Sequence, residues 1–556
     1  MAKHDIQPAS DASPTDAAVQ PTKKHGDKEW MASDKDAAAI PENNMWLVVP
    51  SLMLVMFLAA LDQTIVTTAL PTIASHFNAT PGEYSWVGTS YLLVATIMVP
   101  DIVGRKTLMI PGIFAFLIGS ALCGAAKSMT WLIGARAMQG FGGGSIISLT
   151  QIIIGDIVPL HKRGATNSWT GSIWGIASVM GPLFGGLICE RTSWRWIFFI
   201  NLPACGLAIP ALYFSLNLPP RKKTTWSELS RTFDFIGLVL IMSGCACLVV
   251  GFSSASDNGW GQKQTIALLV VGFVLFVASL VNFMVTKRNA IVPPRLLRTR
   301  TTVFWLLCST LHATAFLSAS FYFPVFYQGI ENASPLMSGV YVLPFSLVVS
   351  IGTIIAGQLN TRLRIVRPVV WVGYAISALG YGLCIKYLQY GGGIANQIVI
   401  LIVLGLGVGL SLAVPLLCLQ AAMPLKEMAA STSAWLLTRS LGGTLGIAIF
   451  QAVITTGLES RFPKLEGYGT QFQIPHDLEG YHRIHNLPEG PTREAALSAF
   501  SDSLRVRLVH VIGVKSELTG TICPCLALVD HLDANDGRGT ASESQPLPTN
   551  RVKAGC

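Results

Sequence analysis

Residues 131–149 read WLIGARAMQGFGGGSIISL. The run is apolar and nearly as long as the ~20 residues a helix needs to cross a bilayer. It nonetheless carries Arg136, Gln139 and glycines at 140, 142, 143 and 144. On a helix Arg136, Gln139, Gly140 and Gly143 share one face. A cation facing lipid is costly, so this face is expected to look inward, to protein or a water-filled cavity. Its glycines admit the close approach of a neighbouring backbone. Such a helix belongs inside a bundle of membrane helices.

The whole chain supports that reading. It has 556 residues, 51% hydrophobic and only 12% charged, whereas a soluble chain is about 25% charged. Thirteen helix candidates centre on 46–69, 84–100, 107–126, 131–157, 166–188, 196–217, 234–253, 265–285, 303–327, 337–358, 368–388, 396–419 and 429–456. The second is marginal in length. The expected class is therefore an all-α polytopic membrane protein with 13–14 spans.

Residues 1–44 are polar and lack an apolar signal core, so they read as a disordered cytosolic tail. The first membrane helix then acts as the targeting signal. The net charge of +9 does not imply nucleic-acid binding. Its cations cluster in alternate loops, at Arg105 and Lys106, Lys162 and Arg163, Arg221 to Lys223, Lys287 to Arg298, and Arg362 to Arg367, which places those loops and the N-terminus inside. The scattered cysteines have no zinc spacing, and no Walker loop is present. No cofactor, metal, enzymatic chemistry or obligate protein partner is expected. The expected partners are a small-molecule substrate, protons and the bilayer.

Domain organisation follows from the runs. Residues 45–217 form an N-terminal six-helix bundle, 218–302 two central linker helices with loops, and 303–510 a C-terminal bundle with an outer loop at 457–496. Residues 511–556 form an atypical polar segment. A faint repeat links the halves: a basic loop (DIVGRK at 101–106, GQLNTRLR at 357–364) followed by a glycine-rich helix, with Gly140–Gly144 in one half and Gly405, Gly407 and Gly409 in the other. Repeated halves are a common way to build a transporter around a midplane site.

The first helix supplies a matching anion. Asp62 lies deep in an apolar run, followed by Gln63, Thr64, Thr67 and Thr68. An intramembrane carboxylate marks a functional site by default. An Asp62–Arg136 neighbourhood is expected to change protonation as a cavity opens and closes; a static pair that fixes packing is the alternative. The fifth helix carries Gly175, Gly181, Pro182, Gly185 and Gly186, a proline-bent seam with a small-xxx-small pair. His312 is a titratable group in the ninth helix, more in keeping with packing than with proton transfer. Trp86, Tyr91, Phe321, Tyr322 and Tyr327 are aromatic candidates for a pocket wall or for helix packing. Asn78-Ala-Thr80 and Asn332-Ala-Ser334 are glycosylation sequons on expected outer loops.

Several of these stretches resemble the major facilitator superfamily, in its fourteen-helix drug:proton antiporter branch, and within it fungal toxin and multidrug efflux pumps. They are LDQTIVTTALPTI (61–73), RAMQGFGGGS (136–145), GPLFGG (181–186), SWRWIFFINLP (193–203), FPVFYQGIENASPLMSGVYVLP (323–344) and TRSLGGTLGIAI (438–449). The resemblance implies two six-helix bundles with two extra central helices, alternating access, and proton-driven export across the plasma membrane. It links Arg136 to proton coupling and the glycines and proline of the fifth helix to the antiport seam; read with the residues themselves, Asp62 and Arg136 are the expected coupling pair and Gln139, Gln63 and His312 the expected cavity residues. It makes Asp101, Gly104, Arg105 and Lys106 the remnant of a gate loop whose preceding glycine half is missing. A second departure is the polar, basic stretch where a fourteenth apolar helix is expected. The alternatives are a proton-coupled importer, such as a siderophore-iron carrier, or a family member that no longer transports.

Overall fold

The computed structural model describes residues 44–95, 105–157, 160–217, 233–286, 288, 291–363, 367–412, 414–421, 428–469, 474 and 484–504. The N-terminal tail, Asp101, Gly104 and the polar C-terminal segment lie outside them.

Among the described residues the chain is built of helices, with no extended strand. In chain order they are α1 Met45–Phe77, α2 Pro81–Ala95, α3 Arg105–Gly124, α4 Met129–Ile157 and α5 Leu160–Arg191. Next come α6 Trp196–Ser215, α7 Phe235–Asn258, α8 Lys263–Val285, α9 Arg300–Gly329 and α10 Pro335–Leu363. The last long ones are α11 Arg367–Tyr387, α12 Ile394–Leu412, α13 Met428–Arg461 and a helix over 491–504, α14; short helices Pro294–Arg298 and Val414–Ala421 precede α9 and follow α12. Twelve described helices are long and apolar enough to cross a membrane. The short α2 is not among them, and α14 is described only to Leu504.

Several helices run past the apolar stretches that announce them. The expected first helix ends at residue 69, but α1 continues to Phe77. It is stopped by Asn78, a left-handed cap with φ 49° whose N–H bonds the Ser75 carbonyl. Helix ends are set by such caps, which lie outside the hydrocarbon, rather than by loss of hydrophobicity. The outer segment expected at 457–496 is likewise shorter: α13 extends to Arg461 and α14 begins at residue 491. The α14 helix docks on the C-terminal end of α13, where Gly457 faces Ser503 and Arg461 pairs with Asp502 at 3.6 Å.

The two halves repeat one plan. In α4, Gly140 and Gly144 lie against the backbone of α2 at Tyr91 and Ala95, and Gly142 lies against α3 at Gly112 and Phe116. In α12, Gly405 and Gly409 lie against α10 at Phe345 and Val349, and Gly407 lies against α11 at Ser377. At these positions a Cβ would collide with backbone, so the glycines fix the helix spacing. The turn after the first helix of each half also recurs. Asn78 and Asn332 both sit at positive φ, 49° and 51°. Thr80 and Ser334 then cap the next helix, accepting from the N–H groups of Glu83 and Met337. Pro81 and Pro335 open that helix, where a missing N–H costs nothing.

The extra pair α7 and α8 packs mainly on itself. Glycines 244 and 251 of α7 meet Phe276 and Leu269 of α8. Asp234 caps α7, and Asn282 of α8 donates to it at 2.6 Å. The α8 helix turns Val270, Phe273, Val274, Val277 and Val281 outward as a lipid face. The inner side of α7 reaches both halves: Asp257 accepts the Gly82 N–H of α2, and α7 also packs along α13.

Candidate functional site

Asp62 lies in the middle of α1, 1% exposed. A buried carboxylate must find partners, and this one finds three. Its Oδ2 accepts from Arg136 Nη1 at 2.5 Å. Its Oδ1 accepts from Gln139 Nε2 at 2.7 Å and from Asn201 Nδ2 at 3.3 Å. The ion pair therefore joins α1 to α4, with α6 contributing through Asn201.

Arg136 is equally buried and fully engaged. It donates through Nε to the Val87 carbonyl of α2 at 3.3 Å and through Nη1 to Gln139 Oε1 at 2.7 Å. Its guanidinium also lies 4.4 Å from the Tyr91 ring centroid, a cation–π contact. Gly143, one face-turn away, leaves room for the Tyr91 hydroxyl. The shared face of Arg136, Gln139, Gly140 and Gly143 thus looks inward, onto α1 and α2.

Gln139 closes the network. Besides Asp62 it donates to Ser120 Oγ of α3 at 2.7 Å, and Asn201 donates to the same hydroxyl at 3.2 Å. Cys123 Sγ donates to Gln139 Oε1 at 3.5 Å. One charge pair is embedded in a set of neutral groups drawn from α2, α3, α4 and α6. Ser120 and Asn201 were not singled out from the sequence. Asn201 was legible in principle as a lone amide in the apolar run WIFFINLP. Ser120 gave no such signal, because serine is common in membrane helices.

The fifth-helix glycines meet the same region from the other side. Gly181 and Gly185 abut Thr64, Ile65 and Thr68 of α1, just beyond Asp62. Thr64 Oγ1 donates to the Ala177 carbonyl of α5 at 3.0 Å. The opposite side of α5 meets the second half. Gly186 touches Pro335 and Leu336 of α10, Gly339 of α10 touches the Pro182 carbonyl, and Ser350 donates to the Gly175 carbonyl at 3.1 Å. The α5 helix is therefore a seam between the buried ion pair and the other half. A direct bond also crosses, from Gln328 Nε2 of α9 to the Thr68 carbonyl at 3.1 Å.

The remaining expected residues lie elsewhere. Gln63 is half-buried beside the Tyr91 hydroxyl, at the edge of the network. His312 is not part of it. It is buried in the second half, with Nε2 3.2 Å from the Val408 carbonyl and its ring stacked on Phe316. Of the gate-loop remnant, Arg105 is buried at the start of α3. Lys106 donates to the Leu216 carbonyl that ends α6, at 2.7 Å, within the first half. Asn78 and Asn332 are exposed. The described residues bring together no cluster of His, Cys, Asp and Glu that would hold a metal.

A family model described as the Major Facilitator Superfamily matches residues 52–447, which span the network and the seam. The chain belongs to the major facilitator superfamily. An uncharacterized MFS-type transporter of Schizosaccharomyces pombe is 37% identical over 82% of this chain and 76% of its own. The efflux pump dotC of Dothistroma septosporum is 32% identical, over 84% of this chain and 81% of the relative. The MFS efflux transporter aclA of Aspergillus oryzae is 32% identical, over 85% and 87%. Among solved structures, an inward-facing, occupied bacterial homolog of the human lysosomal transporter Spinster aligns with a TM-score of 0.57. It is 16% identical and covers 87% of this chain and 97% of its own. At that identity the likeness speaks to the fold alone. The chain is a membrane-spanning transporter of this superfamily with efflux pumps among its relatives; these families transport rather than catalyse.

Proposed function

We propose that this protein exports small amphipathic molecules across the plasma membrane by alternating access, driven by the proton gradient, with no cofactor. One observation carries the reading: the buried Asp62–Arg136 pair, held by Gln139 and joined through α1 to the α5 seam. The direction rests on the relatives named as efflux pumps.

The chemistry follows from the network. Charged Asp62 accepts three hydrogen bonds, one from a guanidinium. A proton on Asp62 removes the charge and turns one oxygen from acceptor to donor. The guanidinium then loses its counter-ion, and α1 loses its strongest tie to α4. Thr64, two residues on, carries that change to Ala177 and the α5 glycines. The α5 helix abuts α10, so loosening α1 alters how the halves meet. A proton arriving from outside and leaving inside would thus be paired with opposite movement of substrate.

The test is dye and drug accumulation in a pump-deficient yeast expressing the full chain, with and without a protonophore, beside Arg136→Ala. Lowered accumulation that is lost on adding protonophore and in the variant supports the reading. A chain that reaches the surface and leaves a broad panel unchanged contradicts it.

A further inference from the structure

Arg439 lies well inside a membrane-spanning helix, as Arg136 does, and its surroundings are the reverse of those of Arg136. It lies on α13 with its guanidinium carbon 5.5 Å from the Trp435 ring centroid and 5.9 Å from that of Phe316 on α9. Among the described residues no carboxylate, amide or carbonyl pairs with it. One turn earlier the Trp435 indole N–H is buried, with the residue 8% exposed, and has no acceptor among the described residues. Two strong donors on one stretch of helix are thus left without an acceptor. In hydrocarbon either group alone is costly, and together they mark a place where an acceptor arrives from outside the protein.

Their position is defined. Trp435, Arg439 and Gly443 are spaced i, i+4, i+8 and share a face of α13. Gly443 on that face meets Leu317 of α9 and Leu92 of α2. The α2 helix belongs to the other half, so this face of α13 is turned toward the junction of the halves. Arg439 is half-buried, so its guanidinium is within reach of a group from outside the protein. Below it Phe316 forms a flat apolar shelf, backed by His312 at 6.3 Å and Phe345 at 6.2 Å. His312 itself is turned to the Val408 carbonyl.

We infer that Arg439 and the Trp435 indole N–H form an anion subsite, which holds the carboxylate or similar acidic group of an aromatic substrate whose ring lies over Phe316. A guanidinium offers a planar fork that matches a carboxylate, and an aromatic shelf favours an offset ring. The subsite names the substrate class of the exporter proposed above. For transport it rests on that reading; for binding it does not.

The experiment uses the purified full chain in detergent and two xanthene dyes of opposite charge, anionic fluorescein and cationic rhodamine 6G, with binding read by fluorescence polarisation. Fluorescein binds the wild type. Arg439→Gln weakens it at least tenfold and leaves rhodamine 6G within twofold, Arg439→Lys recovers part of the loss, and Trp435→Phe, which keeps the ring, costs a few-fold. Arg439→Gln stays monodisperse with an unfolding temperature close to wild type, because among the described residues Arg439 has ring contacts but no hydrogen-bond or ionic partner to lose. Failure of fluorescein to bind the wild type, unchanged binding in Arg439→Gln, or equal loss of both dyes overturns the subsite. Flux into vesicles separates the two claims. Fluorescein bound at Arg439 but never exported counts against the exporter alone, whereas export by Arg439→Gln at the wild-type rate counts against the subsite alone.

Discussion

Gln139 Nε2 donates to Asp62 Oδ1 at 2.7 Å while Arg136 holds the other oxygen, so a single face of α4 grips both ends of the α1 carboxylate. The carboxylate is 1% exposed. Removing one member of a buried pair leaves the other charge uncompensated, which costs about 3–5 kcal/mol. Asp62→Asn is therefore expected to lower the unfolding temperature strongly and to abolish proton-driven export. The double variant Asp62→Asn, Arg136→Gln should regain much of the stability, since no charge is stranded, and none of the export. Thermal unfolding of both proteins beside an efflux assay checks this.

Gln139→Ala keeps the ion pair and removes the bridge to Ser120. Leaving buried polar groups unsatisfied costs about 1–3 kcal/mol. The expected protein is folded but less stable, with export reduced several-fold rather than abolished. Loss as complete as in Asp62→Asn would mean that the amide, not the charge pair, carries the coupling.

The α5 seam should be intolerant of a single methyl group. A Cβ on Gly181 would collide with Thr64, and one on Gly186 with the α10 backbone. Gly181→Ala and Gly186→Ala should reach the membrane with export cut at least tenfold. Gly134 of α4 and Gly206 of α6 have open space where a Cβ would stand. Gly134→Ala and Gly206→Ala should behave as wild type, and cell-surface amount measured beside efflux separates packing from expression.

The two asparagine caps make a stability prediction. Asn78 and Asn332 hold left-handed backbone, which glycine adopts freely and β-branched residues do not. Replacing either by Gly is expected to be near neutral, and by Val to cost about 1–3 kcal/mol. Unfolding temperatures of the four single variants in detergent decide it.

Much of this fold was legible because a bilayer simplifies the code. Apolar length announced most of the spans. Asp62 and Arg136 stood out because charge inside hydrocarbon needs a reason. What stayed hidden was of two kinds. Neutral partners such as Ser120 cost little in a membrane helix, so no sequence signal separates a network member from a packing residue. Arg439 was visible within TRSLGGTLGIAI yet attracted no separate reading, because a family-like motif absorbed it. Its lack of a partner is a property of three-dimensional neighbours, which spacing does not encode. His312 shows the converse, a titratable residue that the fold settles against a carbonyl.

The central claim is that protonation of Asp62 couples the gradient to substrate movement. It is tested most directly in proteoliposomes containing the full chain, with an imposed pH gradient and a fluorescent substrate found in the yeast panel. The wild type should concentrate the substrate only while the gradient lasts. Asp62→Asn should still equilibrate it downhill but never concentrate it. Gradient-driven concentration by Asp62→Asn at the wild-type level would contradict the account and return the Asp62–Arg136 pair to a purely structural role.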